Sequence, residues 1–316
     1  MKIKYTQYET VYLKKKEDYF RYLKDSFPIT KNSPTADTSK EWDLHNSPYK
    51  DPDCTYGYKN SLFYINLERF LNFQSKQVKF KFIPGKGIKF NKNVILRSDQ
   101  LGFSAPKYNT TWNKTSGWSS KYLYARYLNL KQGKNPKDIN YKHIVDIIWD
   151  SRTIGGSFLW PIVKGGSKYN TNRGVGDYIY DRPDITLLEI KKFFCLYKHI
   201  KDPKKIKNMM DNEKYILMNG NDYIEIYKWL SYFESFKEYV KFFCFIEKDG
   251  KENFVNSNYE VLSLVTNKPI KDGHSEKGID EMDLKEIEAI LKNTHNHIIN
   301  RTEIIEGIIY GETNKK

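Results

Sequence analysis

Between Asp150 and Glu189 the chain gathers residues suited to holding an anion. Arg152-Thr153-Ile154-Gly155-Gly156 is followed by Asn170-Thr171-Asn172-Arg173-Gly174 and then by Asp181-Arg182-Pro183-Asp184. Three of the eight Arg in the chain lie here, each beside Gly, Pro or Thr. A guanidinium offers a planar, two-pronged grip on phosphate or carboxylate, and glycines let backbone N–H groups come close to the same anion. An anion at the end of this loop would also lie near the positive start of the helix expected from Asp184. Arg152, Asn172, Arg173 and Arg182 are therefore the candidate anion contacts, with Lys164 and Lys168 steering. The alternative is structural. Arg173 and Arg182 could pair with Asp177, Asp181 or Asp184 and staple a long loop.

Other constellations carry less. His143, Asp146 and Asp150 fall on one face of a helix at spacings of three and four, where they could hold a divalent cation or serve as acid and base. The same spacing suits the solvent side of an amphipathic helix whose other face is Ile144, Val145, Ile148 and Trp149, and that reading is preferred. Neither glycine-rich stretch fits a nucleotide loop: Gly174-Val175-Gly176 lacks its third glycine, and Gly165-Gly166 runs into Ser167-Lys168 without the P-loop spacing. Pro183-Asp184 with Glu189-Ile190-Lys191 imitates a metal-dependent nuclease signature. Asp184 and Glu189 share one helix, however, and cannot converge on an ion from separate strands. Asp184 is expected to cap that helix, or Thr186 with Glu189 to form a capping box. His295 and His297, two apart on a helix, point to different faces and are expected at the surface. No metal and no cofactor is expected.

The elements that must position these residues can be read from periodicity. Residues 7 to 26 form an amphipathic helix, and Pro28 to Asp53 is largely loop. Leu62 to Phe73 resumes an apolar pattern, VKFKFIP (Val78 to Pro84) alternates as a strand, and IKFNKNVILRSD supplies a further strand pair. Ser104 to Ser120 reads as a long ordered loop. A helix over Ile139 to Trp149 precedes a strand over Ser157 to Val163 and a polar loop from Lys164 to Asp177. Helices are predicted over Asp184 to Ile200, Tyr223 to Phe236 and Asp283 to Ile299, with Tyr239 to Ile246 as helix or buried strand. The mixture is α+β.

Composition bounds the class. The chain has 316 residues, 39% of them apolar and 16% aromatic, too rich in core formers for a disordered protein. No apolar run is long enough to cross a membrane, and Met1-Lys2-Ile3-Lys4 opens no signal peptide. The three cysteines, Cys54, Cys195 and Cys244, exclude a disulfide framework and suit a reducing cytoplasm. Lys and Arg exceed Asp and Glu by 53 to 39, a formal charge of +14. The other 45 cations are Lys, and only four Ala occur, a bias typical of an AT-rich coding genome. Part of the charge is thus a solvated lysine surface, while scarce Arg carries more information.

SDQLG (Ser98 to Gly102), RTIGGSFLWP (Arg152 to Pro161), NTNRG (Asn170 to Gly174), DRPDITLLEIKKFF (Asp181 to Phe194) and FESFKEYVKFFCFIEKD (Phe233 to Asp249) follow one another in an order that resembles a family of uncharacterised bacterial and phage proteins, a domain of unknown function. KDPD (Lys50 to Asp53) resembles that family's start. Pro183 stands where Phe is usual, and Lys241 where Asp is usual. The resemblance covers about residues 35 to 265. It implies the importance of the Arg loops and no reaction.

The resulting expectation is one mixed α+β domain over residues 35–265, with helical extensions at 1–34 and 266–316. Its leading function is binding of a phosphate-bearing partner, nucleic acid or nucleotide, in a bacterial or phage setting such as phage–host conflict. The alternatives are a transferase or hydrolase acting on a nucleotide or nucleic acid through the same Arg cluster, and a protein-interaction module or inhibitor of a host or phage protein using the Tyr and Trp of Ser104 to Ser120. A membrane partner is not expected.

Overall fold

A computed structural model of the chain describes residues 62–90, 94–100, 127, 130, 153–162, 182–196, 198–200, 202, 205, 223–271 and 277–313. The expected helices over residues 7–26 and 139–149, and the loops over 28–53, 104–120 and 164–177, lie outside them.

Helix α1 (Leu62–Gln74) buries Phe63, Tyr64, Leu67, Phe70 and Leu71, one stripe at three- and four-residue spacing. Its polar residues reach the next segment. Asn72 accepts the Phe80 N–H (2.7 Å) and donates to the Phe80 carbonyl (2.9 Å), and Glu68 accepts the Phe82 N–H (2.6 Å). These bonds give strand β1 (Lys81–Ile83) the partners that a neighbouring strand would otherwise supply.

The sheet is an antiparallel meander in the order β1, β2 (Gly87–Lys89), β3 (Ile95–Gln100) and β4 (Ser157–Pro161). Its first turn passes through Gly85 at φ 79°, and the next strand starts at Gly87, φ 118°. A Cβ on Gly87 would lie 2.4 Å from the Leu96 carbonyl oxygen, so only glycine fits there. β3 and β4 pair in register from Leu96 with Pro161 to Gln100 with Ser157, and every residue of β4 is buried. VKFKFIP is strand only over Lys81–Ile83, in its second half, and the predicted 157–163 strand ends at Pro161.

The remaining helices are α2 (Pro183–Leu196), α3 (Tyr223–Leu230), α4 (Phe236–Phe242) and α5 (Leu284–Thr313), with a 3-10 turn at Ile279–Glu281. The helix predicted over Tyr223 to Phe236 is two helices. Ser235 accepts the Glu238 N–H (3.2 Å) as the cap, while Glu238 accepts the N–H of Glu234, one residue before it, a variant of the capping box that starts α4 afresh. α4 ends with Phe245 N–H bonded to the Val240 carbonyl (2.8 Å) and Cys244 N–H to Lys241 (3.2 Å). That is a Schellman closure with Cys244 in the left-handed position, φ 55°.

α1 packs on β1, β2 and α5, α3 packs on β4, and α4 on α2. Between them lies a web of aromatic rings: Phe80, Phe90, Trp229, Tyr232, Phe233, Phe242 and Phe243 meet at centroid distances of 4.8 to 6.5 Å, many edge to face. The architecture is α+β.

α5 runs 14 residues past its expected end at Ile299, to Thr313. It is opened by Asp283, which accepts the Glu286 N–H while Glu286 accepts the Asp283 N–H, both at 2.9 Å. Ile287, Ile290, Leu291, Thr294, His297, Ile298, Arg301, Thr302 and Ile305 form one buried stripe along it.

Candidate functional site

Of the candidate anion contacts, Arg182 is described. Arg152, Lys164, Lys168, Asn172 and Arg173 lie outside the described residues, as do His143, Asp146 and Asp150. Arg182 is 1% exposed. Its Nε and Nη2 reach Asp184 Oδ1 (3.0 Å) and Oδ2 (3.2 Å), a bidentate pair, and its Nη1 donates to the Lys277 carbonyl (2.7 Å). Asp184, fully buried, also accepts the N–H groups of Ile185 (2.9 Å) and Leu264 (3.0 Å). The pair therefore ties three separate segments together: the start of α2, the chain at Leu264, and the approach to α5.

Two expectations about α2 are corrected by this geometry. Asp184 is not the cap, because the helix begins one residue earlier with Pro183, whose fixed φ and missing N–H suit a first helical position. Nor do Thr186 and Glu189 form a capping box. The Thr186 hydroxyl donates back to the Arg182 carbonyl (3.2 Å), and Glu189 pairs with Lys192 (2.8 Å). Asp184 and Glu189 stand on one helix with protein partners, as the argument against a nuclease centre requires. Among the described residues no group of His, Cys, Asp and Glu is placed to hold a metal ion.

The Thr153–Ser157 segment, read as a place for backbone groups to meet an anion, is instead a joint for α5. Gly155 faces Thr302 so closely that a Cβ would sit 2.1 Å from its Oγ1 and 2.6 Å from its backbone nitrogen. The Thr302 hydroxyl donates to the Ile298 carbonyl (2.7 Å), so in the 2.9 Å contact between Thr153 and Thr302 the Thr153 hydroxyl is the donor. Thr153 Oγ1 also accepts the Gly156 N–H (3.0 Å). Arg301, 2% exposed, completes the joint. It donates to the carbonyls of Gly155 (2.7 Å), Ser157 (2.7 Å) and Phe243 (2.8 Å), and its guanidinium lies 4.0 Å from the centre of the Phe245 ring. Burial draws its pKa down to about 10, with no carboxylate paired to it among the described residues. Burial likewise raises the nearby Cys244 thiol to about 11 and pushes the Tyr239 hydroxyl far above its usual value.

His297 is buried, contrary to the expected surface position. It packs 5.0 Å from the Phe254 ring, and neither ring nitrogen has a hydrogen-bond partner among the described residues. Burial lowers its pKa to about 4, against a smaller opposing pull from Glu252 and Asp184.

No helix among the described residues is long and apolar enough to cross a membrane. A family model, "Family of unknown function (DUF6994)", matches residues 107–305. The matched stretch takes in the Thr153 joint, the Arg182 staple and most of α5 through Ile305. No curated protein and no solved structure matches.

Proposed function

The chain belongs to DUF6994, a family of unknown function, and from that premise we propose that this member binds a phosphate-bearing partner, a nucleic acid or a nucleotide, in a bacterial or phage setting such as phage–host conflict. The observation that carries the proposal is the placing of scarce Arg among glycines and lysines within a chain of net charge +14. Arg152, Asn172 and Arg173 contact phosphate, while Lys164 and Lys168 raise the local concentration of the anion. Arg182 serves the site from behind. Held by Asp184 and the Lys277 carbonyl, it fixes the chain at the entry to α2, next in sequence to the candidate contacts. A fixed neighbour of this kind lowers the conformational entropy that a cation-presenting segment loses on binding.

The test is a salt series. Affinity for a single-stranded oligonucleotide should fall linearly in log–log form with salt concentration. Arg173→Ala should flatten that slope by about one phosphate's share, roughly 0.7 for a single strand, and leave the melting temperature unchanged. An unchanged slope with a lowered melting temperature would make Arg173 a staple like Arg182.

A further inference from the structure

The turn between Asn256 and Glu260 brings Tyr259 to the surface in a left-handed conformation, φ 62°. The turn is well built: Asn256 Oδ1 accepts the N–H groups of Asn258 (3.0 Å) and Glu260 (2.9 Å), and the Tyr259 N–H bonds the Asn256 carbonyl (3.0 Å). Three lysines from two helices meet there. Lys237 and Lys241, one turn apart on α4, place their ammonium groups 4.7 and 5.7 Å from the centre of the Tyr259 ring. Lys191 of α2 donates to the Tyr259 carbonyl (2.9 Å) and lies 5.9 Å from the Phe236 ring.

Like charges one helical turn apart repel, and two exposed lysines would ordinarily splay into water. Here they converge on one ring. None of the three ammonium groups pairs with a carboxylate among the described residues. The adjacent acids are committed elsewhere. Glu238 closes the capping box of α4, Glu260 accepts from Asn256 (2.9 Å), and Glu189 pairs with Lys192. A partly exposed ring flanked by unneutralised ammonium groups is the arrangement by which proteins grip phosphate beside a stacked base.

We propose that Lys191, Lys237 and Lys241, gathered on Tyr259, form a phosphate-binding site. The phosphate sits between the Lys237 and Lys241 ammonium groups, Lys191 reinforces it from α2, and the Tyr259 ring packs against the ligand. The same cations hold the Tyr259 hydroxyl below its usual pKa: partial burial acts to raise it, and the Lys241 and Lys237 groups outweigh that. A phosphate in a nucleic-acid strand and one on a free mononucleotide offer the same chemistry. The site goes beyond the candidate contacts Arg152, Asn172 and Arg173 and does not depend on them.

The experiment uses the full chain. Lysine acetylation is followed by mass spectrometry with inorganic phosphate, a mononucleotide or a short single-stranded oligonucleotide present. Protection of Lys237 and Lys241 by all three supports a site for free phosphate compounds, and protection by the oligonucleotide alone supports one for a strand. No protection by any of them overturns the site. In the salt series, the K237Q/K241Q double variant should lower the oligonucleotide slope by about 0.7, the share of the one phosphate held between them. If the double variant keeps the full slope while Arg173→Ala loses its share, the lysine site is wrong and the Arg173 contact stands. If the double variant loses slope and Arg173→Ala does not, the lysine site stands without the Arg173 contact.

Discussion

At the scale of single residues, the strongest constraint is the Arg182–Asp184 pair. A capping aspartate would cost about 1 kcal/mol on removal. Asp184 instead neutralises a guanidinium that is itself inaccessible to water, so Asp184→Ala should cost about 3–5 kcal/mol in urea unfolding. A loss near 1 kcal/mol would mean that Arg182 is not held as described. His297 sets the acid response. Its native pKa, near 4, lies below the usual 6.5, so the unfolded chain takes up a proton first as pH falls. Stability from this group is intact above about pH 6.5 and drains away toward pH 4, at up to about 1.4 kcal/mol per pH unit. His297→Phe, which keeps a ring against Phe254, should remove that slope between pH 6.5 and 4. An unchanged slope would exclude His297 as its source.

At the scale of elements, two glycines make opposite predictions. Gly155→Ala drives a methyl group into the backbone of α5 at Thr302 and should cost about 1–3 kcal/mol. Gly307, on α5 itself, has open space around it, so Gly307→Ala should gain about 0.5–1 kcal/mol. Thermal unfolding of the two variants checks both signs. The elements were largely legible in the sequence, because periodicity and turn chemistry report local structure. The break between α3 and α4 was missed, although Ser235 and Glu238 stand at the spacing of a capping box. His297 fits the three-and-four spacing of Thr294, Ile298 and Arg301, and only its polarity argued for the surface. The role of Arg301 had no local signal. Its partners are carbonyls 58 to 146 residues earlier, and nothing near position 301 announces them. For the same reason, the Thr153–Gly156 glycines resembled an anion cradle when their neighbour is a helix.

At the scale of the whole molecule, the cysteines offer a check on packing. Cys195 is exposed and Cys244 buried, so a thiol reagent should label Cys195 in the native protein and Cys244 only on unfolding. Equal labelling rates would mean that the α4 closure opens readily. α5 supplies Ile287, Ile290, Leu291, Ile298 and Ile305 to the same core as α1 and β4. A chain ending at Met282 should therefore lose cooperative unfolding rather than retain a trimmed fold, as read by near-ultraviolet circular dichroism. The position of Arg301 also bears on synthesis. At about 5–20 residues per second, a ribosome needs roughly 7–30 s to travel from Gly155 to Arg301. Through that interval the carbonyls of Gly155, Ser157 and Phe243 emerge without the guanidinium that joins them, and β4 carries its apolar residues without the helix that locks its entry. The nascent chain thus holds this buried strand unsealed until translation is nearly past residue 301, the period in which a chaperone would find it.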